Sequence, residues 1–104
     1  MADSTGERWF ESELHRLRGR ALIMHQQGAG AAAEGCFQHA IEAAQEQQAR
    51  LWELRATTSL AQLWAEQGKR AEARALLGPV YGSFREGFET ADLKNARALL
   101  DELA

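Results

Sequence analysis

The stretch Leu60–Leu77, LAQLWAEQGKRAEARALL, decides the fold of this chain. Its apolar residues recur at steps of three and four on both sides of Gly68, which is the spacing of one face of an α-helix. Glycine readily adopts the left-handed conformation that ends many helices, so Gly68 marks a turn. The stretch therefore predicts two helices that fold back on each other as a hairpin.

A second copy of this pattern lies 40 residues earlier, in Arg20–Phe37, RALIMHQQGAGAAAEGCF. The shift places Gly28 opposite Gly68, and it matches further residues that are identical or similar in the two copies. The matched pairs are Ala21 and Ala61, Met24 and Trp64, Ala33 and Ala73, Cys36 and Leu76, Phe37 and Leu77, and Ala40 and Val80. A hairpin of this size cannot bury its apolar face alone, so the repetition predicts stacked units.

The composition agrees with a single helical domain of 104 residues. Valine and isoleucine are limited to Val80, Ile23 and Ile41, which disfavours a β-sheet. Twelve basic and 15 acidic side chains are interspersed and give a net charge of −3. Nucleic-acid binding would require clustered lysine and arginine, so no nucleic-acid partner is expected.

The sequence also favours a reducing compartment without a membrane. Cys36 has no second cysteine with which to form an internal disulfide. No apolar run approaches the roughly 20 residues that span a bilayer, and the N-terminus lacks the basic and apolar regions of a signal peptide. We expect a soluble cytoplasmic domain with no membrane partner.

Five helices are predicted in one domain at 7–104, after a disordered N-terminus at 1–6. Unit one covers 7–48, unit two covers 49–87, and a terminal helix covers 90–104. Helix one should bury an apolar stripe formed by Trp9, Phe10, Leu14, Leu17, Ala21 and Met24. Helix four should kink or end early, because Pro79 lacks the N–H group that an α-helix requires.

These residues resemble the tetratricopeptide repeat. The second unit carries the pattern as Ala61, Trp64, Gly68, Ala73, Leu77 and Val80, and the first as Ala21, Met24, Gly28, Ala33, Phe37 and Ala40. The repeat length is 40 residues rather than 34, so the helices should be longer than usual. The resemblance implies an all-α fold of antiparallel hairpins stacked as a short right-handed α-solenoid. It also implies a protein or peptide partner.

A narrower resemblance covers Leu54–Leu103, whose PVYGSF and EGFET segments are the most distinctive. This half is similar to the C-terminal repeat region of bacterial signalling proteins that carry a class III adenylate or guanylate cyclase domain and an AAA or STAND ATPase. The resemblance implies a non-catalytic regulatory region, either as a fragment or as a stand-alone relative. No catalytic residue of those enzymes falls in this chain.

In the tetratricopeptide family the first helix of each unit lines a concave face. The resemblance therefore implies a column of partner-binding residues: His15, Arg55 and Lys94, with Arg18, Thr58 and Arg97 one turn further on. Such a mostly positive column would favour an acidic peptide, or another domain of the same parent chain. The alternative for these residues is a solvated charged face. The alternative function is self-association as a homodimer.

Other chemistry is not indicated by the sequence. Cys36 and His39 are three residues apart, and no second ligand pair completes a metal site. The segment GAGAAAEG lacks the lysine and hydroxyl residue of a phosphate-binding loop. Glu11 and Glu13 should lie on an exposed helix surface without a cleft, which is unsuitable for acid–base catalysis. We expect no enzyme activity, no metal and no cofactor.

Overall fold

A computed structural model describes residues 5–25, 30–84 and 90–103, without the side chains of 5–10. Five α-helices and no strand occur in these ranges: α1 Thr5–His25, α2 Gly30–Glu46, α3 Arg50–Glu66, α4 Arg70–Gly82 and α5 Ala91–Leu103. The all-α prediction with about five helices is confirmed. Most of the predicted disordered N-terminus, at 1–4, and the turn at Gly28 lie outside the described residues.

The helices pack in chain order and form two layers. Each helix contacts the next one, and α3 also contacts α1 and α5. The first layer therefore contains α1, α3 and α5, while α2 and α4 form the second. The smallest dimension of the molecule is 19 Å, which is about two helix diameters. Stacking of consecutive hairpins, as the repetition predicted, produces this arrangement.

Two apolar clusters hold the layers together. One joins α2 to α3 through Ala33, Phe37, Leu60 and Leu63. The other joins α3, α4 and α5 through Leu54, Ala61, Ala73, Leu77, Leu93, Ala96 and Leu103. Alanines at the crossings are fully buried and let the helices approach closely, while each buried leucine contributes roughly 2 kcal/mol.

The same turn joins α2 to α3 and α3 to α4. The Ala49 N–H donates to the Ala44 carbonyl at 2.9 Å, and the Lys69 N–H donates to the Trp64 carbonyl at 2.8 Å. Both bonds span five residues, as in a Schellman motif. In that motif the residue directly before the donor is left-handed. That residue is Gly68 with φ 86° in the second turn and Gln48 with φ 57° in the first. The turn predicted at Gly68 is confirmed.

The packing predicted for the apolar stripe of α1 is wrong for four of its residues, while the side chains of Trp9 and Phe10 lie outside the described part of the chain. Leu14 is 47% exposed, Leu17 is 51% exposed and Met24 is 72% exposed, and Ala21 is also exposed. These four residues, here called the outer stripe, face away from the rest of the molecule. Large apolar residues at helical spacing show that a helix has an apolar face, but they do not show which neighbour covers it.

The opposite side of α1 packs on α2 through small residues. Ser12 is fully buried, and its hydroxyl donates to the Ala40 carbonyl at 2.9 Å. Gly19 is buried against the ring of Phe37, and a Cβ atom on this glycine would lie 2.7 Å from the ring carbon Cε1. The residue that faces Phe37 is therefore Gly19 rather than Ala21, because only glycine allows the ring so close to the α1 backbone.

Helix α4 does not end before Pro79 and continues to Gly82. A proline inside a helix leaves the carbonyl four residues earlier, here that of Ala75, without its usual donor. Ala75 and Pro79 are both exposed, so this part of α4 lies at the protein surface. Arg50 further stabilises the end of α4 by donating to the Ser83 carbonyl at 2.8 Å. Of the predicted kink or early end, the early end is therefore wrong.

None of the helices in the described ranges combines the length and the apolarity needed to cross a membrane.

Candidate functional site

The helices of the first layer enclose an open groove of about 490 Å³. Helices α1, α3 and α5 lie side by side there, and each contributes side chains at steps of three and four residues. The lining residues are Arg16 and Arg20 from α1, Arg55, Thr58, Ser59 and Gln62 from α3, and Asp92, Asn95, Ala98, Leu99 and Glu102 from α5. Most of this lining is polar, which distinguishes the groove from the apolar clusters beneath it.

Arg55 connects the three helices at one end of the groove. Its Nε and Nη2 atoms donate to the two carboxylate oxygens of Asp92 at 3.0 and 2.8 Å. Its Nη1 atom donates to Glu13 on α1 at 3.2 Å. Its guanidinium also lies 4.6 Å from the ring centre of Trp52. Helices α1 and α5 make no direct contact in the described ranges, so Arg55 provides an ionic link between them.

Glu13 receives a second arginine from its own helix. Arg16 donates to both carboxylate oxygens of Glu13, at 2.7 and 2.9 Å. Partial burial raises the pKa of the Glu13 carboxyl, but the hydrogen bonds and charges of Arg16 and Arg55 outweigh burial and hold that pKa below its ordinary value. The hydrogen bond to Asp92 raises the pKa of the Arg55 guanidinium, despite the opposing effect of burial. The four groups therefore form one network of ion pairs.

Beyond this network the groove presents polar groups that are available to a partner. The side chains of Arg20, Gln62 and Asn95 and the carboxylate of Glu102 make no hydrogen bond or ion pair with other described residues. The two amides can each donate and accept hydrogen bonds. Arg20 adds a cation on the α1 side, and Glu102 adds an anion on the α5 side. A peptide main chain with nearby charged side chains matches these groups.

No family model, curated protein or solved structure matches the chain. A functional assignment must therefore come from the geometry of the groove and from the residues that line it.

The structure places two of the six predicted binding residues in the groove. Arg55 belongs to the charged network, and the Thr58 hydroxyl donates to the Leu54 carbonyl at 2.8 Å. Lys94 and Arg97 lie on another side of α5, beside Tyr81 and Asp101. Arg97 pairs with the exposed carboxylate of Asp101 at 3.7 Å.

The two predicted residues on α1 also lie elsewhere. The His15 ring faces the His39 ring of α2 at a centroid distance of 5.4 Å, which places it between α1 and α2. Arg18 is exposed and does not line the groove. The structure therefore does not bring the six residues together as one column, because a shared sequence shift does not fix the rotation of each helix about its axis.

The sequence contained a signal for the groove residues that were missed. Starting from Arg55, steps of three and four reach Ser59 and Gln62 on the same face of α3. The same steps connect Glu13, Arg16 and Arg20 on α1, and Asp92, Asn95, Leu99 and Glu102 on α5. Polar residues at helical spacing on alternate helices would have identified this surface.

The part of the chain that the structure describes does not indicate a metal site. That part contains no group of three or more histidine, cysteine, aspartate or glutamate side chains that could hold a metal ion. Cys36 is partly buried on α2, and His39 on the same helix is exposed.

Proposed function

We propose that this chain is a non-catalytic protein–protein interaction domain, of tetratricopeptide type, that binds a peptide segment in the groove of the first layer. The observation that carries the proposal is the set of available polar groups on three adjacent helices, at Arg20, Gln62, Asn95 and Glu102. Rigid helices hold these groups at fixed spacing, which is the arrangement that a binding site needs.

The groove chemistry narrows the expected partner. The primary amides of Gln62 and Asn95 suit the N–H and C=O groups of an extended main chain. Arg20 would take an acidic side chain of the peptide, since its charge has no partner among the described residues. Arg55 already bonds to the carboxylates of Glu13 and Asp92, so its role would be to fix the positions of the three helices that form the groove. The partner is thus a segment with an acidic residue near one end and a basic residue toward Glu102.

In a larger signalling protein the same groove would take a segment of a neighbouring domain. The resemblance of Leu54–Leu103 to the C-terminal region of bacterial cyclase and ATPase proteins supports this regulatory role. That segment includes most of α3 and all of α5, which supply two of the three groove walls.

A random peptide library displayed on phage tests the proposal. Peptides selected on the immobilised domain should bind the variants Arg20→Glu and Asn95→Ala at least about tenfold more weakly, measured by fluorescence polarisation. Both side chains are exposed, so circular dichroism of these variants should match that of the original chain.

Lys94→Glu provides the matched control, because Lys94 is exposed on α5 but lies outside the groove. Affinity should be unchanged in this variant. If selected peptides lose affinity with Lys94→Glu and keep it with Arg20→Glu and Asn95→Ala, the partner binds the other side of α5 and the groove is not the site.

A further inference from the structure

The outer stripe of α1 has the spacing of a coiled-coil interface. Leu14, Leu17, Ala21 and Met24 follow each other at steps of three, four and three, which are the a and d positions of a heptad. In the same heptad Ser12 and Gly19 would occupy f positions, and these are the residues that pack on α2. Helix α1 therefore has two opposite packing faces, and the molecule itself covers only the face with small residues.

The outer stripe is the main apolar patch on the described surface. Five large apolar side chains are exposed in the described ranges, and three of them, Leu14, Leu17 and Met24, belong to the outer stripe. Helix α5, at the other end of the stack, contributes none of the five. Head-to-tail stacking of two copies would set an apolar end against a polar one, so the matching surface for the outer stripe is the outer stripe of a second copy.

The charges beside the stripe fit one relative orientation. Glu11 and Arg18 are seven residues apart and lie on the same flank of the stripe, the e positions of the heptad. Both side chains are exposed, and among the described residues Glu11 makes a loose contact with His15 at 3.9 Å. In an antiparallel pair of helices, e positions face e positions. Placing Leu14 against Leu17 of the second copy then brings Glu11 beside Arg18 of the second copy, twice by symmetry.

We propose that two copies of this chain associate through the outer stripe of α1 as a symmetric antiparallel dimer, with Leu14 and Leu17 at its centre and two Glu11–Arg18 pairs beside them. A competing register would centre the contact one half-heptad later, between Leu17 and Ala21. It would place Arg18 against Arg18 and Arg20 against Arg20, which like-charge repulsion disfavours. The proposed register has no such conflict.

Sedimentation equilibrium of the full chain over a concentration series tests the dimer. The apparent mass should rise from 11.5 kDa toward twice that value as concentration increases. Leu17→Glu should remain at the monomer mass over the same range, with unchanged circular dichroism because Leu17 is half exposed. A chain that stays monomeric throughout, or a dimer that Leu17→Glu leaves intact, would overturn the proposal.

Charge reversal tests the antiparallel register. Glu11→Arg alone and Arg18→Glu alone each create two like-charge contacts and should weaken the dimer by about tenfold. Mixing these two variants should restore association as a heterodimer, because both contacts then join opposite charges. Native mass spectrometry distinguishes the heterodimer from the homodimers. Failure of the mixture to associate more strongly than either variant alone would exclude this register.

The groove provides a control that separates this dimer from the proposed peptide binding. Asn95→Ala should weaken selected peptides, whereas Arg18→Glu should weaken the dimer. Asn95 lines the groove from α5, which does not pack against α1, and Arg18 does not line the groove. A dimer that Asn95→Ala disrupts while Arg18→Glu spares it would contradict the proposed interface.

Discussion

At the scale of single residues, Gly19 and Phe37 set the distance between α1 and α2. The ring of Phe37 is 1% exposed and lies where a Cβ atom of residue 19 would be. A buried ring has little freedom to move, since protein interiors are close-packed. The small residue is therefore required at this position even though glycine lowers the stability of an isolated helix.

The variant Gly19→Ala should accordingly lower the free energy of unfolding by roughly 1–2 kcal/mol, because steric overlap with Phe37 outweighs the gain in helix propensity. Gly35→Ala is the matched control. Gly35 lies inside α2 with no atom near the position of an added Cβ, so alanine there should stabilise the chain by about 1 kcal/mol. Urea denaturation followed by circular dichroism measures both. Equal effects of the same sign would show that Gly19 is not sterically constrained.

At the scale of elements, two equivalent turns use different residues at the same left-handed position. Gly68 adopts φ 86° without strain, whereas Gln48 adopts φ 57°, a conformation that costs a residue with a side chain roughly 1–2 kcal/mol. The hydrogen bonds that close the two turns are alike. The difference between the turns is therefore in the residue and not in the backbone.

Exchanging the residue types should have opposite effects in the two turns. Gln48→Gly should raise the free energy of unfolding by about 1 kcal/mol, and Gly68→Ala should lower it by about the same amount. Thermal and urea unfolding of the two variants and the original chain measure the change. A destabilised Gln48→Gly variant would mean that contacts of the glutamine side chain outweigh the backbone strain.

Arginines at the starts of α3 and α4 fix how neighbouring helices end. Arg50 donates to the Ser83 carbonyl after α4, and Arg70 donates to the Glu102 carbonyl near the end of α5. A cation at the C-terminal end of a helix is favourable because the last carbonyls there lack helical partners. The guanidinium of Arg50 also lies 5.2 Å from the ring centre of Phe84. The start of each of these two helices thus stabilises the end of the next helix in the chain.

At the scale of the whole molecule, the network of Arg16, Glu13, Arg55 and Asp92 ties the first layer together and makes its stability depend on pH. The folded-state pKa of Glu13 lies below the ordinary value of 4.5. A carboxyl of this kind contributes stability that is fully present above its unfolded pKa and is lost as pH falls through its folded pKa. The contribution of the first layer to the free energy of unfolding should therefore fall in acid, below about pH 4.5.

The variant Glu13→Gln removes this pH-dependent contribution. At pH 7 it should lower the free energy of unfolding by roughly 1–2 kcal/mol, since the amide loses the charge-assisted bonds to Arg16 and Arg55. Its stability should then fall less than that of the original chain between pH 5 and pH 3, a range set by the ordinary carboxyl pKa. Glu42→Gln, at an exposed site on α2, is the control and should follow the original curve. If the free energy of unfolding falls by the same amount with pH in Glu13→Gln and in the original chain, the network is not the source of the pH dependence.

The sequence by itself determined the elements and most of the core. Apolar spacing and the glycine at residue 68 act within a few residues, so they predicted the helices and the α3–α4 turn without tertiary information. Matching of the repeats also identified Ala33, Phe37, Ala73 and Leu77 as core residues, and all four are buried. For the candidate site, two of the residues predicted from the sequence, Arg55 and Thr58, line the groove.

Only the tertiary structure decided how each helix is rotated about its axis. The apolar stripe of α1 was visible in the sequence, but close packing on α2 required the small face with Ser12 and Gly19, so the stripe was left outside. The groove has the same origin, because Glu13, Arg55 and Asp92 lie far apart in the chain and meet only when three helices align. Local periodicity defines the faces of a helix, whereas steric fit between helices determines which face each neighbour covers.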